Sequence, residues 1–417
     1  MNIEDIKLKI QELALSTPNI NVVSYGFKFV GKQQTDELCI MYGVEQKKSL
    51  AELSPEEILP SEITIGDGVL RTDVYEVGKA ETIACNPVCG QIAGPNSAAN
   101  RAFTRPLKGG LSITSTNNVL TVGTMGFIGV HTETQTLVGV TNNHVTIQDA
   151  FYTSEQNLAG VIQNEYSPVD YIYQNGETGS VPVDPAYTIG RSLRYVPLST
   201  TLNNKVDCAI FSLDPEDVDV ATSYQIAGVS DYTLPLPFAS TSEINNLLTT
   251  NPMLYSSGRS TGPKGGVGCP LRVLSIFSAF PIAYHLQGTL TTVYFVDQIS
   301  FVKPENDPSL SSICGNPVYP GDSGSALIAD FGGVRKIIGL VFAASQVNGF
   351  FYYGYANRID NVAAQIGIEA WDGTAKGYVD PASITYKTTS NGSSNKILDC
   401  GGTNYWQVGL TTLDNPC

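Results

Sequence analysis

Apolar residues at the start of the chain recur at helical spacing, with Ile3, Ile6, Ile10 and Leu13 on one side. The pattern then switches to alternation. Residues Asn19 to Val30 read as a strand, with Val23, Tyr25, Phe27 and Phe29 on one face. Gly31-Lys32 marks a turn, and Glu37 to Val44 reads as a second strand. Ser54-Pro55-Glu56-Glu57 predicts a short helix: Ser54 caps it, Pro55 suits its first position and Glu57 reaches back to the cap. Leu70 to Val77 reads as a third strand. The order helix, strand, strand, helix, strand predicts a small α/β leader domain over residues 1–80, its sheet covered on one face by helices.

Residues 81–107 are rich in Pro, Gly and Asn and read as a linker. From residue 108 the texture becomes short strands at close intervals. Examples are Gly110 to Thr114, Val119 to Gly126, Leu137 to Thr141, Val206 to Ser212, Thr289 to Phe295, Ala326 to Ala329 and Lys336 to Ala343. Such spacing predicts a barrel or sandwich. Thr146 to Asn204 reads mostly as loop. Arg358 to Ile366 reads as a closing helix, capped by Asp360, with an apolar stripe of Ile359, Val362, Ala363 and Ile366. Residues 367–417 read as a tail, with a Ser/Thr/Asn/Gly-rich stretch from Ser383 to Lys396 expected to be flexible.

Composition sharpens this outline. Only 15% of the 417 residues are charged, and Gly 40 with Pro 23 supply many turns, as in a mainly β protein with long loops. The net charge of −15 repels phosphate backbones and anionic lipids, so neither nucleic acid nor membrane is expected as a partner. No apolar run is long enough to span a bilayer. The opening MNIEDIKLKIQELAL is amphipathic and unlike a signal peptide, so a cytoplasmic location is expected. The eight cysteines form no CxxC pair, and Cys85/Cys89 lack a matching pair at zinc spacing. They read as free thiols in a reducing compartment, the even count leaving disulfides open in an exported protein, with no metal and no cofactor.

Three segments carry chemistry. Pro320-Gly321-Asp322-Ser323-Gly324-Ser325 is a glycine-flanked turn before an apolar strand. Such a turn presents a serine hydroxyl to a base and aims the Gly321 and Ser323 amides at one point, where an oxyanion would form. Of only three histidines, His131 lies in a Thr/Glu loop and His285 in a β stretch, whereas His144 stands where the chain leaves an apolar strand. Asp207 heads the apolar strand Cys208-Ala209-Ile210-Phe211, a costly place for an unpartnered acid. Asp170 is its rival but lacks such a strand.

The order His, Asp, Ser is similar to that of chymotrypsin-like serine peptidases. Within them the chain resembles the bacterial trypsin-like peptidases related to the plant NARROW LEAF 1 protein. The matching segments are Thr141-Asn142-Asn143-His144-Val145, Gly258-Arg259-Ser260-Thr261-Gly262, Pro-Gly-Asp-Ser-Gly-Ser and, less specifically, Thr72 to Gly78; together they span roughly residues 1–366. The resemblance implies a double β-barrel over residues 108–366 and catalytic roles for His144, Asp207 and Ser323. It implies oxyanion donors at Gly321 and Ser323, and protein or peptide substrates. Pro317 falls where digestive trypsins carry an acid, and Ala343-Ala344-Ser345 is expected as the pocket's wall strand, so an uncharged residue is expected there. With no recognisable activation site, Asp322 is expected to make a fixed internal bond. The leader is expected to regulate the cleft, through release by a cut between Ala80 and Arg105 or as a docking module. A silent peptide-binding scaffold and an esterase are the competing readings.

Overall fold

A computed structural model describes residues 2–30, 33–83, 97–115, 122–146, 151–152, 171–174, 185–196, 198–229, 232, 234–266, 269–286, 289–303, 316–347, 350–379, 385–388 and 396–399. The protein is mainly β, with the two-sheet architecture expected of a chymotrypsin-like double β-barrel carrying an N-terminal α/β unit.

The N-terminal helix α1 (Ile3–Ser16) is capped by the Asn2 side chain, which accepts from the Glu4 amide, and it buries Ile6 and Ile10. It packs on β1 (Val22–Val30), which pairs antiparallel with β2 (Gln33–Val44). A short strand, β3 (Glu62–Ile65), forms a hairpin with β4 (Gly68–Glu76), which in turn lies parallel to β2. Only Ile63 and Ile65 mark β3 in the sequence, too brief a signal to separate it from a turn. Ser54 and Glu57 form the predicted capping box, on a 3₁₀ turn over Pro55–Glu57. The segment ends in β5 (Ala80–Thr82).

The first barrel comprises β6 (Ser112–Ser115), β7 (Gly123–Thr124), β8 (Phe127–His131), β9 (Thr136–Thr141), β10 (Phe151–Tyr152), β11 (Tyr171–Tyr173), β12 (Thr188–Tyr195), β13 (Leu198–Ser199) and β14 (Ala209–Ser212). Pairing runs β8-β9-β14-β12-β11-β6-β7. Because β7 continues into β8 through Met125 and Gly126, the sheet curls back on itself. Among the described residues, β10 and β13 pair only with each other. The stretch read as loop thus contains β12. Gly190, Arg191 and Arg194 interrupt its apolar alternation, and Gly190 is needed because a Cβ there would lie 1.6 Å from the Ser212 carbonyl oxygen.

The second barrel is built from β15 (Met253–Gly258), β16 (Gly262–Gly265), β17 (Arg272–Leu286), β18 (Thr289–Val302), β19 (Ala326–Asp330), β20 (Arg335–Val347) and β21 (Phe350–Arg358). Pairing runs β15-β19-β20-β21-β18-β17, and a bridge from Leu254 to Leu271 returns to β15. The leader sheet is continuous with this barrel, because β1 pairs with β17 (Val23 opposite Ala279). β5 joins it too, parallel to β17 and antiparallel to β20.

The closing helix spans Ile359–Ile366 and buries Ile359, Val362 and Ile366. Its cap position is Arg358, not Asp360, whose carboxylate instead binds the Arg358 guanidinium at 2.7 and 3.0 Å. Beyond it, β22 (Ile368–Ala370) pairs with β8 and β23 (Gly377–Tyr378) with β9. Within the stretch read as flexible, Thr385–Thr388 pairs with Lys396–Asp399; the residues between lie outside the described ones. Cys39 and Cys208 are buried thiols, as the simpler reading has them, whereas Cys269 is disulfide-bonded, the alternative that the even count left open. Among the described residues no helix is long and apolar enough to cross a membrane.

Candidate active site

The first barrel delivers the histidine and the aspartate. β9 ends at Thr141, and a single helical turn, Asn143–Thr146, carries His144. Asp207 immediately precedes Cys208 and β14, the strand paired with β9 (Ala209 opposite Thr141). That register sets the two side chains together. The His144 ring Nδ1 lies 2.5 Å from Asp207 Oδ2, and the His144 amide donates to Oδ1 at 3.2 Å. Asn142 Nδ2 binds the Asp207 carbonyl at 2.6 Å, and the Asp207 amide donates to Asn357 Oδ1 at 3.0 Å. Asp170 lies outside the described residues.

Ser323 comes from the turn that opens β19. Its Oγ is 2.8 Å from His144 Nε2. A carboxylate only accepts, so the Nδ1 proton points to Asp207, leaving Nε2 as an acceptor for the serine hydroxyl. The backbone needs glycine on both sides of the turn. Gly321 (φ +101°) and Gly324 (φ +93°) are left-handed, and a Cβ on Gly324 would meet the Thr124 carbonyl oxygen at 2.1 Å. The Ser323 carbonyl accepts from the Thr124 amide at 2.7 Å, and the Gly324 amide donates to the Val341 carbonyl at 2.8 Å, so both barrels hold the turn.

Asp322 is buried and makes the fixed internal contacts expected of it. Its Oδ1 accepts from the Ser260 and Thr261 amides at 2.9 and 3.0 Å, and Oδ2 from the Tyr319 amide at 2.8 Å. Burial pushes its carboxyl up, and those amides oppose the shift. This accounts for the Gly-Arg-Ser-Thr-Gly segment. Ser260 and Thr261 cradle Asp322, Ser260 Oγ binds the Pro320 carbonyl at 2.6 Å, and buried Arg259 donates from Nε to Ser112 Oγ across to the first barrel at 3.1 Å.

Tyr284 is a residue that the sequence pattern does not single out. Its hydroxyl donates to Asp207 Oδ2 at 2.7 Å, and its ring lies edge-on to His144, 6.0 Å between centroids. Burial, then the neighbouring Asp207 charge, pushes its phenol well above the usual range. Nothing in the alternating stretch Phe280–Leu286 distinguishes it from a core tyrosine; it meets Asp207 because the β17–β18 ribbon reaches the first barrel, where Phe295 also bridges to Asn204. His131 is no loop residue: it ends β8, buried, with Nδ1 3.0 Å from Thr134 Oγ1. Burial and then the Arg194 charge lower it to about 4. The His285 side chain lies outside the described residues.

The expected pocket residues are all buried. Pro317 is buried close before the nucleophile turn. Ala343, Ala344 and Ser345 are buried on β20 and pair with Thr82, Glu81 and Ala80 of β5. The Gly321 amide donates to the Ile83 carbonyl at 2.5 Å. Ser323 itself is 0% exposed. The geometry allows general-base attack by a serine, and the Gly321 amide is engaged by a backbone carbonyl.

No family model matches the chain, and no curated protein matches it. Solved structures that match include a glutamic acid specific serine protease described as using a histidine triad in substrate binding, with 13% identity and a TM-score of 0.38 over 64% of this chain and 100% of that one. Nocardiopsis protease matches at 12% identity and 0.35, over 63% of this chain and 98% of that one. Thermobifida fusca protease A matches at 10% identity and 0.34, over 64% of this chain and 98% of that one. Likeness of this degree carries no part of the case for the fold or the site, which rests on the strand pairing and the distances above.

Proposed function

We propose that the chain is a serine endopeptidase that works through an acyl-enzyme, with Ser323 as nucleophile, His144 as general base and Asp207 as its orienting acid. The observation that carries this reading is the unbroken hydrogen-bonded line from Asp207 Oδ2 through both ring nitrogens of His144 to Ser323 Oγ. In the first half-reaction His144 takes the hydroxyl proton as Ser323 Oγ adds to a peptide carbonyl. The oxyanion forms at the Gly321 and Ser323 amides, His144 returns the proton to the departing amine, and water then cleaves the ester. Asp207 holds the ring in the productive tautomer and balances its transient positive charge. The narrower kinship with bacterial relatives of NARROW LEAF 1 draws on the Thr-Asn-Asn-His-Val and Gly-Arg-Ser-Thr-Gly segments.

A second reading, a silent peptide-binding scaffold, draws on one observation: the Gly321 amide is already engaged by the Ile83 carbonyl. The two part on covalent chemistry at Ser323. A fluorophosphonate is expected to leave its adduct on Ser323 of the purified protein, and Ser323→Ala to lose both the adduct and peptide hydrolysis, a drop of up to about 10⁶ in turnover for triads of this kind. Unchanged hydrolysis in the folded Ala variant would remove Ser323 from the chemistry.

A further inference from the structure

The strand that fills the cleft is part of this chain, and it lies there as a substrate must. A peptide attacked by Ser323 has two geometric requirements. Its main chain must be held in register, commonly by pairing along a sheet edge, and its reacting carbonyl oxygen must sit on the oxyanion donors. Residues 80–83 meet the first, and their Ile83 carbonyl sits on one of the two proposed donors, the Gly321 amide. Ala80, Glu81 and Thr82 pair antiparallel with Ser345, Ala344 and Ala343. The Ile83 amide donates to the Phe342 carbonyl at 3.4 Å, and the Ile83 carbonyl accepts from the Gly321 amide at 2.5 Å. Phe342 is also the residue whose carbonyl lies 3.4 Å from Ser323 Oγ. The Ile83 side chain is 0% exposed, and so is Ser323.

We propose that the peptide bond from Ile83 to Ala84 is an intramolecular substrate of this site, and that the site takes peptides with a β-branched aliphatic residue at that position. The proposal rests on the endopeptidase reading above. Atoms and electrons balance through the step. Ser323 Oγ bonds to the Ile83 carbonyl carbon while its proton passes to His144 Nε2. The Ile83–Ala84 carbon–nitrogen bond breaks as that proton moves to the Ala84 nitrogen. Water then hydrolyses the Ser323–Ile83 ester, leaving an Ile83 carboxylate, an Ala84 α-amine and the free hydroxyl.

Strand pairing also sets the state of the protein after the cut. β5 pairs on both sides, with β20 and with β17, and β1 joins the leader sheet to β17. Residues 1–83 are therefore held by strand pairing after the bond is gone, and the new carboxylate stays on the Gly321 amide as a bound product. Cleavage does not by itself open the cleft; departure of the Ala80–Ile83 strand does. No capture of the new amine by Asp322 is required, because both carboxylate oxygens of Asp322 are already engaged by the Ser260, Thr261 and Tyr319 amides.

The test is the intact mass and N-terminal sequence of the full chain as purified, beside Ser323→Ala, Ile83→Val and Ile83→Asp. Expected are two co-purifying polypeptides, 1–83 and 84–417, from the wild type and a single uncut Ser323→Ala chain. Ile83→Val is expected to cut about tenfold more slowly, since one methylene in an apolar pocket is worth roughly that. Ile83→Asp is expected to remain uncut, because it buries a charge, and its loosened strand should speed fluorophosphonate labelling of Ser323 over that of the wild type, in which the strand stays in place after the cut. A wild-type chain that stays whole, or is cut at another bond, while Ser323 in either the wild type or Ile83→Asp takes the label overturns the proposal and leaves the endopeptidase reading standing. A whole chain with no label in either protein, each folded by circular dichroism, sinks that reading as well. A chain cut after Ile83 in both the wild type and Ser323→Ala overturns the proposal by showing that another protease makes the cut.

Discussion

Replacing Tyr284 with Phe removes one hydroxyl from behind the proposed catalytic pair and leaves the ring in place. That ring stacks on Phe295, 6.2 Å between centroids, and sits edge-on to His144, so packing is preserved. What is lost is a 2.7 Å hydrogen bond from the hydroxyl to the fully buried Asp207 carboxylate. A hydrogen bond to a charged group contributes about 1.5–3 kcal/mol. Asp207 keeps the His144 ring at 2.5 Å and the His144 amide at 3.2 Å, of which only the first is short, so the loss is not fully made good. About 2 kcal/mol is the expected destabilisation. If the same contact also orients the carboxylate during attack, reaction at Ser323 slows by up to about 30-fold, at 1.36 kcal/mol per factor of ten. Urea unfolding reads the first effect, and the rate of fluorophosphonate reaction with Ser323, under identical conditions for both proteins, reads the second. Equal unfolding midpoints and equal labelling rates would show that the hydroxyl holds nothing. Reduced stability with an unchanged labelling rate would leave Tyr284 as a core residue and remove it as a positioning one.

Gly324→Ala is expected to cost about 3 kcal/mol or more, because it combines a left-handed φ of +93° with a Cβ 2.1 Å from the Thr124 carbonyl oxygen; a urea midpoint close to wild type would contradict the turn geometry. His131 predicts an acid limb in stability. Its folded pKa of about 4 lies below the ordinary 6.5, so between those values the unfolded chain binds more protons, and stability falls as pH drops from about 6.5 to 4. The span corresponds to about 3 kcal/mol from this group, and His131→Gln should flatten that limb; an unchanged pH profile in the variant would assign the acid sensitivity elsewhere.

The sequence alone determined the mainly β class and the candidate residues for the proposed chemistry. Alternating apolar strands and frequent turns specify sheets, because the pleat repeats every two residues whatever the strand later pairs with. The proposed catalytic residues were legible for a different reason. A glycine-flanked serine, a histidine at a strand end and an acid heading an apolar strand are each poor choices unless a neighbour satisfies them. The fixed contacts of Asp322 were expected on another ground, the lack of a recognisable activation site that would supply a new N-terminus. The tertiary structure decided everything that depends on which strand lies beside which. Tyr284 reaches Asp207 only because the β17–β18 ribbon reaches the first barrel. β12 escaped the pattern because its partners, β11 and β14, compensate for Gly190 and two arginines that no strand rule favours. Ala80–Ile83 read as the edge of a leader and the start of a linker, since four residues carry no periodicity to interpret. Their place on β20, with the Ile83 carbonyl on the Gly321 amide, comes from strand pairing between residues more than two hundred positions apart, and no local pattern encodes that distance.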